Sequence, residues 1–145
     1  CSIAPDSVDK EVDLGEVTTA VINANKKSTP VAVDINLQNC VLSDPDDETA
    51  TPITKVEVTF SSTATYASDT SLLSNTYASG AENVGVRLLD NDEANITLGS
   101  AKTVDLLPNS DTQTLHFKAR MEVPTGTTAT AGQVEANANY VLMYK

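Results

Sequence analysis

Apolar and polar residues alternate over several stretches of this chain, and the clearest stretch spans residues 31–38. Its apolar positions are Val31, Val33, Ile35 and Leu37, and its other positions include Asp34, Asn36 and Gln38. A period of two places successive side chains on opposite faces of a β-strand. The pattern therefore predicts a strand that buries one face and leaves the other in water.

The same period recurs elsewhere and predicts further strands. They are expected at 12–14, with Val8 as a candidate first position, at 56–60, 84–88, 96–98, 104–106 and 115–121, and in irregular form around Tyr66 and Tyr77. The segment 18–30 is ambiguous, because Ala20, Val21 and Ile22 fit either a short strand or a helical turn. Residues 124–132 are expected to form a loop.

The longest alternation begins at Gly132 and continues to the end of the sequence. Its apolar even-numbered positions are Val134, Ala136, Ala138, Tyr140, Leu142 and Tyr144. Val141 and Met143 add apolar side chains at two of the odd-numbered positions. We therefore expect one long strand whose last residues are apolar on both faces.

The composition favours strands and turns. Thr, Val, Ala, Ser and Asn are the prominent residue types among the 145 residues, and Trp is absent. Thr and Val suit pleated, half-buried strands, whereas Asn, Ser, Gly and Pro suit turns. We predict a single all-β domain over residues 1–145, an antiparallel β-sandwich of immunoglobulin-like type without the Cys–Trp–Cys core of antibody domains.

The charge of the chain excludes two classes of partner. Nine basic residues stand against twenty acidic ones, which gives a net charge of -11. Nucleic acids and anionic membranes bind basic surfaces, so an acidic surface repels both. The sequence has no apolar run long enough to cross a bilayer and no signal-peptide pattern, so we expect any signal peptide to have been removed.

The cysteine count predicts a disulfide. Cys1 and Cys40 are the two cysteines, and an even, minimal count in an acidic β-rich chain favours one bridge formed in an oxidising compartment. Two alternatives remain open, namely two free thiols and a Cys1 that carries lipid. No zinc site is expected, because the chain has one histidine and no CxxC motif.

The residues needed for catalysis or metal binding are poorly supplied. His116, the one histidine, lies on the polar side of a predicted strand. A catalytic triad requires an acid beside its histidine, and the sequence places none there. The segment 90–95 begins like a calcium loop but lacks the sixth-position Gly, and Ala101 stands where a Glu is needed, so we predict a solvated turn. We therefore expect that the protein is not an enzyme and that it binds no metal, cofactor or small-molecule substrate.

Several segments together match a known pattern. They are 12–17 (VDLGEV), 35–40 (INLQNC), 83–90 (NVGVRLLD), 115–120 (LHFKAR), and the pair of Gly132 and the penultimate Tyr144, joined by an alternating strand. The set resembles the subunits of chaperone–usher pili, or fimbriae, and particularly the type 1 major pilins. The resemblance covers essentially the whole chain, and Cys1 and Cys40 stand where that family has its single disulfide.

The resemblance implies an incomplete immunoglobulin-like sandwich that lacks its last strand and is completed by donor-strand addition. The donor groove would lie between the first and last strands. Its residues would be Val12, Leu14, Gly132, Val134, Ala136, Ala138, Tyr140, Leu142 and Tyr144. Family members carry an N-terminal donor extension before the first cysteine, and we expect that it has been cut away ahead of Cys1.

The resemblance also implies a function. The chain would be a structural subunit of an adhesive fimbria that polymerises by donor-strand exchange, first in the periplasm and then as an extracellular fimbrium on a Gram-negative cell. Its partners would be a periplasmic chaperone, which grips the carboxylate of Lys145, an outer-membrane usher, and neighbouring pilins. The alternatives are a minor adaptor or tip pilin and, in a different class, a carbohydrate-binding adhesin domain.

Overall fold

The computed structural model describes residues 1–3, 5, 11–17, 19–43, 46, 49 and 51–145. Within these residues the chain forms eleven β-strands and one short helix. The strands are β1 (Ser2–Ile3), β2 (Glu11–Val17), β3 (Val31–Gln38), β4 (Lys55–Ser61), β5 (Thr65–Tyr66), β6 (Asp69–Ser74), β7 (Gly85–Asp90), β8 (Ala101–Asp105), β9 (Gln113–Glu122), β10 (Gly132–Asn137) and β11 (Asn139–Tyr144). The helix α1 spans Thr19–Asn25.

The strands pair into three sheets, and every pairing is antiparallel. A six-stranded sheet has the order β1-β3-β9-β7-β6-β5, a three-stranded sheet has the order β11-β4-β8, and β10 pairs with β2 alone. The six-stranded sheet packs against the three-stranded sheet, as the edge-to-face contact of Phe117 on β9 with Phe60 on β4 shows, with ring centroids 5.0 Å apart. The predicted β-sandwich is confirmed.

Strong alternation predicted most of the strands of the sandwich. The predicted strands at 31–38, 56–60, 104–106 and 115–121 correspond to β3, β4, β8 and β9. On β3 the apolar residues Val33, Ile35 and Leu37 are buried, whereas Val31, expected on the same face, is exposed. On β9 the apolar residues Leu115, Phe117 and Ala119 are buried, and Gln113 is buried on the same face. Val8 lies outside the described residues.

The structure decides one local prediction that was open between a strand and a helical turn, and it differs from two others. The ambiguous segment 18–30 contains the helix α1, whose Ile22 is buried in the core. No strand forms at 96–98, since Ile96 instead donates its backbone N–H to Leu88 and reaches the core from a loop. Tyr77 lies in a turn, whereas the neighbouring strand β6 ends at Ser74.

The strand β7 is buried on both faces, although its alternation predicted one exposed face. Its Arg87 is buried because the guanidinium bonds to Glu122 through Nε (3.1 Å) and Nη2 (2.9 Å) and also pairs with Asp69. These carboxylates raise the pKa of Arg87 further above its ordinary value, against the opposing effect of burial. Paired acids thus allow a charged residue to occupy a central strand.

The predicted long final strand is divided at Ala138. Residues before it form β10 and pair with β2, and residues after it form β11 and pair with β4. The prediction of one continuous strand is therefore wrong, because the two halves take their hydrogen bonds from different partners.

None of the described helices is long and apolar enough to cross a membrane.

Candidate functional site

Cys1 and Cys40 form the predicted disulfide, which confirms the bridge over free thiols and over a lipid-bearing Cys1. The bridge lies beside the short pairing of β1 with β3, in which Ser2 is opposite Gln38. It therefore fastens the segment that leads to β2 onto the end of β3. On the chain-entropy model, closing a loop of this length stabilises the fold by about 4 kcal/mol.

The candidate site is built from β2, β10 and β11, which we call the last-strand site. It contains all of the predicted groove residues: Val12 and Leu14 on β2, Gly132, Val134 and Ala136 on β10, Tyr140, Leu142 and Tyr144 on β11, and Ala138 between the two halves. The two halves of the last strand differ in how far they bury these residues.

Along β10 the alternating residues are fully buried. Val134 and Ala136 both have 0% of their surface exposed. Gly132 begins the strand with a φ of 147°, and a Cβ there would lie 2.7 Å from the backbone nitrogen of Ala81. The close approach of the 80–81 backbone thus explains why a residue without a side chain starts this strand.

One edge of β10 is occupied by β2. Val12 lies opposite Ala136 and Gly15 opposite Val134, while the register passes over Leu14 at a bulge. The first and last strands are therefore direct neighbours along 132–137, and no position for another strand lies between them there.

The opposite edge of β10 is held by Asn75. Its amide nitrogen donates to the carbonyl oxygens of Gln133 (2.7 Å) and Ala81 (2.9 Å), and its amide oxygen accepts the N–H groups of Glu135 (3.0 Å) and Tyr77 (3.1 Å). Thr76 adds a backbone bond to the carbonyl of Glu135 (2.9 Å). One side chain thus fastens β10 to the loop after β6, a role that the alternation pattern did not predict.

The strand β11 is at the margin of its sheet. It pairs with β4 on one edge, and no strand among the described residues pairs with its other edge. Its inward residues Tyr140, Leu142 and Tyr144 pack against the core but are half-buried, and burial raises the pKa of Tyr144. On the outer face, Val141 and Met143 are 67% and 59% exposed.

Lys145 follows β11 and is bound to the beginning of β4. Its backbone N–H donates to the carbonyl of Lys55 (2.8 Å), and its carbonyl oxygen accepts the N–H groups of Thr54 (2.9 Å) and Lys55 (3.1 Å). Its ammonium group pairs with Glu57 at 2.7 Å. The residue predicted as a chaperone anchor is therefore fixed at the end of β11, on the edge that faces β4.

An acid that the sequence alone did not place lies beside His116. The register of β3 with β9 places Asp34 opposite His116, and Nδ1 lies 3.2 Å from the Asp34 carboxylate. The ring is 58% exposed on the outer face of the sheet. A pair so exposed is typical of a surface ion pair and contributes little to stability.

The first carboxylate of the segment 90–95, that of Asp90, bonds to other groups of the protein. Asp90 accepts the N–H groups of Asp92 (2.9 Å) and Ala94 (3.0 Å) on one oxygen, and the other oxygen pairs with Lys102 at 2.9 Å. The hydrogen bond from Lys102 is the main cause that lowers the pKa of Asp90. In the described part of the chain, no three His, Cys, Asp or Glu residues are grouped so that they could hold a metal ion.

A cavity of about 710 Å³ lies apart from the last-strand site, beside the end of β7. Lys102, Asp105 and His116 are among the residues that line it. Among its described lining residues Phe117 is the one Phe, Tyr or Trp, and it is 2% exposed and offers no free ring face. Sugar sites commonly use an exposed aromatic platform, so the cavity lacks the feature that the carbohydrate-binding alternative needs.

Comparison with known proteins identifies the family. The model of the family described as "Fimbrial protein" matches residues 1–145. The chain is 51% identical to the fimbrial-like protein YbgD of Escherichia coli strain K12, over all of this chain and 78% of the relative. It is 36% identical to the type-1 fimbrial protein, A chain, of the same strain, over all of this chain and 76% of the relative.

The fold agrees with a solved pilus protein. The crystal structure of the P pilus rod subunit PapA superimposes with a TM-score of 0.74 over 100% of this chain and 99% of that one, at 20% identity. That likeness supports the immunoglobulin-like sandwich independently of the sequence relatives. With the family match over its full length and the disulfide in place, the chain belongs to the fimbrial protein family.

Proposed function

We propose that this chain is a structural subunit of an adhesive fimbria and that it takes up a donor β-strand at the last-strand site. The observation that carries the proposal is the free margin of β11, where no described strand covers the half-buried stripe of Tyr140, Leu142 and Tyr144. A sheet margin with unpaired backbone groups is a template for another strand. An added strand would pair with that backbone and cover the stripe.

The energy available from such an addition is substantial. Completing the burial of three half-buried side chains contributes about 1 kcal/mol each, and backbone hydrogen bonds along six residues add to this. The gross gain is on the order of 5 kcal/mol before the ordering cost of the donor. That amount is a large part of the stability of a small domain, so completion of the fold and assembly would be coupled.

Uptake of a donor strand at a sheet margin implies which proteins this chain would bind. A strand taken from a second copy is a head-to-tail contact that does not close, and repetition of it builds a filament. We infer neighbouring copies of this chain as partners in an extracellular fimbrium on a Gram-negative cell. We further propose a periplasmic chaperone as the earlier strand donor, with its anchor at Lys145, and an outer-membrane usher as the place of exchange.

The number of domains is part of the same proposal. Residues 1–145 would form one pilin domain, and the donor for the next subunit would be a segment that precedes Cys1 in the precursor. The fimbrial role is supported by relatives such as the type-1 fimbrial protein, A chain, and the shaft role by the likeness of the fold to a protein named as a P pilus rod subunit.

Peptide binding tests the proposal. The probe is a synthetic peptide of alternating Thr and Val, as long as residues 132–144, and the control peptide has the same composition with the Val residues in one block. We expect the alternating peptide to raise the melting temperature of the chain by several degrees and to protect the amides of 139–144 from exchange. The control peptide should do neither.

A pair of matched variants locates the binding. Leu142→Asp places a charge on the inward face of β11, whereas Met143→Asp places the same charge on the exposed outer face. The peptide should stabilise the Met143→Asp variant as it does the parent and should leave the Leu142→Asp variant unchanged. Equal loss of binding in both variants, or no binding to the parent, would contradict strand uptake at this site.

A further inference from the structure

We propose that β2 closes the last-strand site while no donor is bound, so that a donor reaches the β10 half only after β2 has left it. This inference rests on the proposed function, because it concerns access to the same site. It assigns to the first strand a second role, that of a resident strand which an incoming strand must displace.

The geometry of β10 leaves the donor one route. Asn75 and Thr76 occupy the edge toward the loop after β6, through bonds to both the N–H and the C=O of Glu135. The inward side chains of Val134 and Ala136 are fully covered. The edge held by β2 is therefore the one along which a strand can be exchanged without rebuilding the core.

The backbone pairing of β2 with β10 lacks hydrogen bonds at Glu135. Asp13 lies opposite Glu135. Because the backbone N–H and C=O of Glu135 bond to Asn75 and Thr76, this is a non-hydrogen-bonded pair of the ladder. This position therefore contributes no backbone hydrogen bond that would hold β2.

The way in which β2 is paired also favours its release. The register passes over Leu14 at a bulge, which interrupts the ladder in the middle of the strand. Within the described residues, β2 pairs with β10 alone, whereas a strand such as β3 has partners on both edges. A strand held by one interrupted ladder exchanges more readily than one held by two.

Both ends of β2 are anchored, so its release is local. Before it, the Cys1–Cys40 disulfide holds the chain to the end of β3. After it, α1 is fixed by the buried Ile22 and by the side chain of Asn23, which bonds to the backbone of Ala129 in both directions (2.8 and 3.1 Å). β2 can therefore leave β10 while the sandwich stays intact.

A reversible lock tests the closure itself. In the variant Asp13→Cys with Glu135→Cys, oxidation joins β2 to β10, and reduction frees it under conditions that spare or restore the native bridge. The control lock, Thr59→Cys with Ala101→Cys, joins β4 to β8 at an opposed pair away from the site. Uptake is followed by the fluorescence anisotropy of labelled peptide.

The results of the lock experiment distinguish closure of the site by β2 from uptake of a donor strand. We expect oxidation to weaken binding of the peptide by at least about tenfold in the β2–β10 lock, where the margin of β11 alone stays accessible, and to have little effect in the control lock. Unchanged uptake in the oxidised β2–β10 lock would overturn the closure while leaving strand uptake intact. Absence of uptake by the unmodified chain would overturn both.

Discussion

The two halves of the last strand share one sequence pattern and have opposite fates. In β10 the alternating residues Val134 and Ala136 are fully buried and both strand edges are engaged, by β2 and by Asn75. In β11 the alternating residues are half-buried, and β4 is the one described strand beside them. The comparison teaches that alternation selects the inward face, whereas the neighbours decide how far that face is covered.

The beginning of β10 offers the strongest test of that difference. Gly132→Ala meets the backbone of Ala81 and a positive φ together, so we expect a loss of about 3 kcal/mol in the free energy of unfolding. Gly126→Ala is the control, since its φ is 82° but no atom lies within 4 Å of its Cβ, and we expect a loss of about 1 kcal/mol. Urea denaturation measures both, and equal losses would remove the argument from close approach.

Truncation of one side chain in each half compares their burial directly. Val134→Ala removes less volume than Leu142→Ala, yet we expect it to cost more, about 2 against about 1 kcal/mol, because Val134 is fully covered. With the alternating peptide bound, the cost of Leu142→Ala should rise above that of the free chain. A larger cost for Leu142→Ala in the free chain would show that β11 is already covered.

The response of Glu122 in the six-stranded sheet to acid provides a reference measurement away from both halves of the last strand. Burial raises the pKa of Glu122, but the hydrogen bonds and charge of Arg87, with the charge of Arg120, outweigh it and hold the pKa below its ordinary value. Glu122 therefore stabilises the fold above its unfolded-state pKa, and the contribution is lost as the pH falls through the lowered folded-state pKa. We expect Glu122→Gln to cost about 1 kcal/mol at neutral pH and to flatten the loss of stability between about pH 5 and pH 3. A pH profile parallel to that of the parent would contradict this.

The outer face of β11 should give the smallest effect. Val141→Ser and Met143→Ser alter side chains that are 67% and 59% exposed, so we expect changes within about 0.5 kcal/mol in the isolated chain. Thermal and urea unfolding check this. A loss comparable to that of Val134→Ala would mean that these residues are covered, and the contrast between the two faces of β11 would fail.

Parts of this architecture could be predicted from local pattern. The strands β3, β4 and β9 were predictable because each shows several apolar positions at period two, and that pattern has no competing interpretation at such length. The Cys1–Cys40 bridge was predictable because the chain offers one possible pair. The residues of the last-strand site were predicted through the resemblance to pilins.

Other parts could not be predicted, because they depend on which strands become neighbours. The contact of His116 with Asp34 requires the register of two strands that are 82 residues apart at this point. The hydrogen bonds of Asn75 to Gln133 and Glu135 join residues 58 and 60 positions apart. Neither contact leaves a periodic signal in the chain.

The amino-acid order alone indicated the inward side of strands such as β4 and β9, the one possible cysteine pair, and the excess of acidic residues. Those properties follow from side-chain spacing, residue counts and charge, none of which needs a partner. The tertiary structure decided that the last strand is divided at Ala138, that β2 occupies one edge of β10, and that β11 remains at the margin. Pairing of strands satisfies backbone groups irrespective of side chains, so the choice of neighbour is settled by the packing of the whole sandwich.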